Sequence, residues 1–214
     1  MMLQRIIARD AALAWQSGGL WLPVAFLLLV AALFPFAVGP DATLLARTGS
    51  GMLWIAALLA ALLPVDRLVA PDRDSGVLDQ LVLRGVGEEW IASAKLIAHW
   101  IGFGPPLMIA ALPCAALLKL DVAAIVQLEV SLAIGTPGLA ALGLLVAALT
   151  AGLRSSGALA GLLALPLAVP LLIFGAGSLA QGSGAALKFL AAVSLLLVAI
   201  TPFAAGGAIR AGRE

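Results

Sequence analysis

The sequence predicts an all-α, polytopic membrane protein with six transmembrane helices, and three observations carry that prediction. The first is composition. Of 214 residues, 63% are hydrophobic and 11% charged, with a mean hydropathy of +1.15. A water-soluble domain is nearer half apolar and about a quarter charged, so this chain lacks the polar groups to cover itself in water. The second is continuity. The charge-free runs Ala11–Pro40, Thr48–Pro64, Leu96–Leu118, Val130–Leu153, Ser155–Leu187 and Phe189–Ile209 are near or beyond the roughly 18–20 residues that cross a hydrocarbon core. They do not alternate, so helices rather than barrel strands satisfy the backbone in lipid. The third is charge placement. Ten of the 23 charged residues fall between Asp66 and Lys95, in one water-facing island after the second run.

In chain order, Met2–Gln16 reads as an interfacial helix. Arg5, Arg9, Ala12 and Gln16 form one stripe and Leu3, Ile6, Ile7 and Ala14 another. It does not read as a cleaved signal, because Pro40 follows the small-residue triplet Ala37-Val38-Gly39 and the charges stand far from the first run. The second run closes at Asp66-Arg67. The fourth extends back to near Val122, which brings Glu129 inside it. The fifth ends in a glycine-rich loop, Gly175 to Gly184. Pro105-Pro106, Pro113, Gly135-Thr136-Pro137, Pro166, Pro170 and Pro202 lie within spans. Bilayer helices tolerate such residues; Gly135, Thr136 and Pro137 also stand as a candidate hinge. Gly157 and Gly161 have the spacing for close helix approach. No linker or repeat divides residues 1–214, which read as one transmembrane domain.

Lys and Arg placement sets orientation. With a cytoplasmic N-terminus, one side receives Arg5, Arg9, Arg67, Arg73, Arg84, Lys95, Arg154, Arg210 and Arg213, and the other only Arg47, Lys119 and Lys188. Both termini and the island are therefore expected in the cytoplasm. A single cysteine, Cys114, allows neither an internal disulfide nor a cysteine metal cluster. A net charge of +1 gives no sign of nucleic-acid binding. The three lysines follow Ala94, Leu118 and Leu187, so the Gly-x-x-x-x-Gly-Lys-Ser/Thr phosphate loop is not formed. The chain is expected not to be an enzyme, and ATP hydrolysis, where needed, to come from a partner.

Within the island, Pro71-Asp72-Arg73-Asp74-Ser75-Gly76 reads as a turn with Asp74 or Ser75 capping a short helix from Val77 to Leu83, stopped by Gly85 and Gly87. Leu78, Leu81 and Val82 share a face, with Asp79 and Gln80 directed elsewhere. Glu88-Glu89-Trp90 then opens a segment leading through Lys95 into the third span. Interfacial helices usually offer lipid an excess of Lys and Arg. Six acids against four bases between Asp66 and Lys95 favour docking on a soluble partner through the Leu78/Leu81/Val82 face.

The stretch from Asp72 to Leu81 resembles the coupling helix of ABC-2-type export permeases, and the chain as a whole resembles the CcmB family (haem exporter protein B). Supporting stretches in order are Leu33-Phe34-Pro35, Leu44-Leu45-Ala46-Arg47, Trp54 to Leu58, Ala94 to Trp100, Leu132 to Pro137, Leu165 to Phe174 and Pro202-Phe203-Ala204. The resemblance covers nearly the whole chain, and its specificity lies in the ordered set. It implies an ABC-2-like permease subunit of the inner membrane. The partners it implies are a CcmA-like ATPase and CcmC-like and CcmD-like membrane subunits, with two copies of this chain, in a complex that frees haem-loaded CcmE chaperone for cytochrome c assembly. Haem and ATP would be held by those partners, leaving no cofactor bound directly here. Asp72, Asp74, Ser75, Gly76, Leu78, Asp79, Gln80, Leu81 and Val82 would form the ATPase-coupling segment. Gly85 and Gly87 stand where the family has a proline-rich exit.

Other residues have rival readings. His99, the only histidine, is the candidate haem ligand. Its place beside Trp100, one turn past Lys95, favours a structural hydrogen bond near the headgroups instead. The tryptophans suit interface positions. Glu129, about two turns deep, is expected as a snorkelling or neutral carboxyl. It is also the residue on which a proton-coupled secondary transporter would depend. Another ABC-2 exporter permease is a further alternative, whereas an intramembrane hydrolase lacks a nucleophile–His or carboxylate pair.

Overall fold

Backbone groups within lipid must bond inside their own segment, and the computed structural model accordingly is helical, with no strand among the described residues. It describes residues 2–16, 19, 21–152, 156–179 and 184–213. The helices are α1 (Met2–Gln16), α2 (Trp21–Val38), α3 (Ala42–Leu62), α4 (Ala70–Asp74), α5 (Val77–Leu83), α6 (Glu88–Leu117), α7 (Val122–Thr150), α8 (Ser156–Gly177) and α9 (Gly184–Ala211). A 3-10 turn, Val65–Arg67, joins α3 to α4. Six helices are long and apolar enough to cross a membrane: α2, α3, α6, α7, α8 and α9.

Caps explain why some spans begin earlier than the charge-free runs. Asp41 accepts hydrogen bonds from the amides of Thr43 (2.7 Å) and Leu44 (3.1 Å), so α3 starts at Ala42 and takes Arg47 into its length. Asp121 accepts from the amide of Ala124 at 2.7 Å, which starts α7 at Val122 and sets Glu129 inside it. Long basic side chains near a span end can reach the interface, so Arg47 and Lys188 do not end their helices. The loop between α8 and α9 includes residues 180–183, which lie outside the described set.

The spans pack around α7. Leu128, Leu132, Leu139 and Leu142 are fully buried along it, and its largest interface is with α9, followed by α6 and α8. Lipid tails are as apolar as leucine, so close packing rather than water exclusion holds these helices together. Buried small residues such as Ala56, Ala60, Ala140 and Ala147 permit that approach. Leu29, Leu33, Phe36, Ile109, Leu195 and Phe203 lie exposed on the outside, as lipid requires. Pro105, Pro106 and Pro113 sit inside a continuous α6, and Pro137 inside α7. The close approach expected at Gly161 is not formed, since an added Cβ there would meet nothing within 4 Å. The surroundings of Gly157 lie outside the described residues.

One tryptophan departs from the interface expectation. Trp54 is fully buried and donates its Nε1–H to Ser131 Oγ at 2.8 Å. Its ring fills the space left by Gly135 and Gly175, where any Cβ would collide with it. A buried indole needs a partner for its N–H, and Ser131, one turn before Gly135, supplies it. Gly135 is thus required for packing against Trp54. Thr136, also fully buried, accepts from Trp100 Nε1 at 3.1 Å. Trp15, Trp21 and Trp90 are exposed, consistent with interface positions.

Candidate functional site

The α4–α5 segment is built by local rules. Helix α5 spans Val77–Leu83, the bounds that glycine punctuation predicts. Gly85, at φ +82°, closes it: the Gly85 amide donates to Val82 O (2.8 Å) and the Val86 amide to Leu81 O (3.1 Å). That is the paired Schellman arrangement, for which a left-handed residue, normally glycine, is needed. Gly85 therefore ends the helix.

The expected cap is not formed. Residues 70–74 are helical, making Ser75 the end of α4 rather than the start of α5. Its hydroxyl donates back to Pro71 O at 2.7 Å, and Asp74 makes no capping bond to α5. Gly76, left-handed at φ +71°, occupies the N-cap position without a side chain to offer. A serine hydroxyl at a helix end can bond the i−4 carbonyl that its own amide already uses, and this competes with forward capping.

The apolar face of α5 also points elsewhere than expected. Leu78 is 1% exposed and belongs to the chain's own core, with Leu81 and Val82 packed against it. A short helix beside a bundle buries its apolar stripe in the nearest apolar surface, here the chain's own hydrophobic cluster. The groups of α4, α5 and their caps left to solvent are Pro71, Asp74, Ser75, Asp79, Gln80, Leu83 and Arg84, with Leu83 86% exposed. Of the expected Leu78/Leu81/Val82 face, only Leu78 is fully buried, and Leu81 and Val82 remain partly exposed beside the tip.

Asp72 is likewise turned inward. It is held inward by Arg9 at 2.6 Å and by Lys95, whose side chain is only 4% exposed. Asp10 completes the cluster, accepting from Lys95 at 3.2 Å and from Arg9 at 2.8 Å. Two acids and two bases thus join α1, α4 and α6. Burial works against the Arg9 charge, but the hydrogen bonds and charges of Asp10 and Asp72 outweigh it and raise its pKa. Reading α1 as a lipid-surface helix missed this contact: α1 packs along the first turns of α6, with Ile6 buried. The available signal was Asp10, an acid at helical spacing from Leu3, Ile6 and Ala14 on the apolar stripe.

A second cluster joins the segment to the end of the chain. Arg213 pairs with Asp79 (2.5 Å) and Glu88 (3.0 Å), and Arg210 with Glu88 (3.2 Å) and Glu89 (2.8 Å). Arg73, on α4, donates to the carbonyls of Ala151 (2.9 Å) and Gly212 (2.8 Å). Helices often end with orphan carbonyls that a nearby guanidinium can satisfy, and Arg73 does so for α7 and α9 together. The segment is therefore tied to α1, α6, α7 and α9. Displacing it displaces all four.

The remaining candidate residues lie apart from the segment. His99 is 6% exposed, its ring tilted at 39° against Phe103 with centroids 4.8 Å apart, and its Nε2 has no hydrogen-bond partner among the described residues. The structural hydrogen bond expected there is absent at that nitrogen, which faces Gly143, a residue with no side chain to offer. His99 borders a cavity of about 360 Å³ between α1 and α6, along with Asp10, Pro64, Asp72, Lys95 and Phe103. Glu129 is half-buried, with Oε1 unpartnered, and stands far from both ionic clusters in the chain order of α7. Thr136 and Pro137 sit mid-span within α7.

Comparison with known proteins agrees with this architecture over its full length. A family model described as CcmB protein matches residues 1–212. The chain is 46% identical to Heme exporter protein B of Rhodobacter capsulatus, covering 97% of this chain and 98% of that protein. It is 42% identical to the protein of that name from Bradyrhizobium diazoefficiens, covering 99% of each. The Escherichia coli K12 protein of the same name is 38% identical over 98% of each chain. This six-span chain belongs to the CcmB protein family.

Proposed function

We propose that the chain is the permease-like membrane subunit of an ABC-type haem export system serving cytochrome c maturation. It lies in the cell inner membrane with both termini and the α4–α5 segment in the cytoplasm. A CcmA-like ATPase docks on that segment, CcmC-like and CcmD-like subunits adjoin the spans, and two copies of this chain serve one complex. ATP and haem are bound by those partners. The names of the relatives, Heme exporter protein B, support the cargo, and the nine-to-three distribution of basic residues supports the orientation. The observation that carries the mechanism is the tying of α4–α5 to the ends of α1, α6, α7 and α9 by charged groups. A push from a hydrolysing partner on the exposed tip passes into four helices at once.

The tip can be tested directly. Covering Leu83 contributes about 1.5–3 kcal/mol, so Leu83→Asp is expected to lower the ATPase retained on washed membranes at least tenfold while the chain itself stays inserted. Equal retention with and without this chain would contradict the proposal.

A further inference from the structure

The island reads as acidic along the sequence, but the fold reverses that balance at one place. Asp72, Asp79, Glu88 and Glu89 are each occupied by Arg9, Lys95, Arg210 or Arg213. Arg5 on α1 and Arg84 at the end of α5 have no acidic partner among the described residues, and both are exposed. These two arginines, far apart in the chain, border one groove of about 440 Å³ between α1 and α5. Its apolar lining is Ile6, Val77 and Leu81, and Arg9 closes one end. Two uncompensated guanidinium groups over an apolar floor fit a carboxylate beside an apolar side chain, since arginine's planar fork pairs with carboxylates in two-point fashion.

Such a groove could in principle hold an anionic lipid headgroup, but its position argues otherwise. Arg9 is bound to Asp10 and Asp72, and these meet Lys95, where the charge-free part of α6 begins. The cluster adjoins the groove through Arg9, and the lining offers an acyl chain only Ile6, Val77 and Leu81. The groove borders the exposed tip of α5 through Gln80 and Arg84.

We propose that this α1/α5 groove receives an acidic, partly apolar segment of the ATPase subunit, so that the N-terminal helix forms half of the docking site. The proposal rests on the reading that an ATPase docks on α5. The test compares the full-length chain with its Arg5→Glu/Arg84→Glu and Arg5→Lys/Arg84→Lys variants in nanodiscs of neutral phosphatidylcholine, titrated with purified ATPase subunit at two salt concentrations. The wild-type chain is expected to bind, more weakly at high salt. The double glutamate variant is expected to bind at least tenfold more weakly and to lose the salt dependence, while the double lysine variant, which keeps the charge and loses the two-point geometry, is expected to fall between the two and to keep the salt dependence. Both arginines are exposed, and thermal unfolding of the variants in the same discs is expected to match wild type. Binding by the glutamate variant equal to wild type overturns the groove while leaving the proposed function standing. No binding by the wild-type chain overturns both. A wild-type affinity that appears only when anionic lipid is added, with lipid retention lost in the glutamate variant, assigns the groove to a headgroup and overturns the proposal.

Discussion

Replacing Asp72 with alanine is expected to destabilise the protein by about 3–5 kcal/mol, the range for breaking a buried ion pair from one side. Lys95 is 4% exposed and Asp72 is shared between it and Arg9. Without Asp72, two cations face the single carboxylate of Asp10. Re-solvating Lys95 would require α1 or α4 to leave α6. The expected readout is a lower thermal unfolding midpoint in detergent, together with reduced chain in membranes. Asp72→Leu combined with Lys95→Met removes the charge imbalance and is expected to recover part of the loss, because an apolar replacement of a buried pair is often neutral. If Asp72→Ala unfolds at the wild-type temperature, the cluster is not what holds α4 against α6.

Trp54→Ala is expected to have a comparable effect, about 3–5 kcal/mol for a fully buried indole. The void would open between α3, α7 and α8, since the ring fits against Gly135 and Gly175. Trp54→Phe keeps most of the packing and loses the bond to Ser131, for a smaller loss of about 1 kcal/mol. Ser131 still donates to Leu128 O at 2.8 Å, so its hydroxyl is not left empty. A second substitution separates packing from other roles. Gly135→Ala is expected to destabilise the wild-type chain, because its Cβ collides with the ring, and to be nearly neutral in Trp54→Ala. Equal damage by Gly135→Ala in both backgrounds would show that Gly135 acts through something other than Trp54.

These two effects also mark where sequence reasoning reached and where it stopped. Span number, the extent of α5 and its termination by Gly85 were legible because each depends on local chemistry. Apolar length sets a span, and a left-handed glycine ends a short helix. The direction of the Leu78 face was not legible. An amphipathic helix shows which side is apolar, not whether the chain or a partner covers it, and here the chain's own bundle does. Charges told a similar story. Counting acids and bases along residues 66–95 made the segment acidic, whereas pairing with Arg9, Arg210 and Arg213 from both ends of the chain leaves Arg5 and Arg84 uncompensated. Trp54 was misplaced because amphipathic side chains serve interfaces and cores alike. Only its Ser131 and Gly135 partners, about 80 residues on, distinguish the two.

The account turns on which side of the membrane the α4–α5 tip occupies, and Asp74, exposed on α4, reports it. Asp74→Cys in a Cys114→Ala background places one accessible thiol on the tip, the native cysteine being buried. With the chain expressed in the absence of the ATPase, a membrane-impermeant maleimide is predicted to label inside-out vesicles and to leave sealed right-side-out vesicles unlabelled. Labelling of sealed right-side-out vesicles would put the tip beyond reach of any cytoplasmic ATPase and contradict the mechanism.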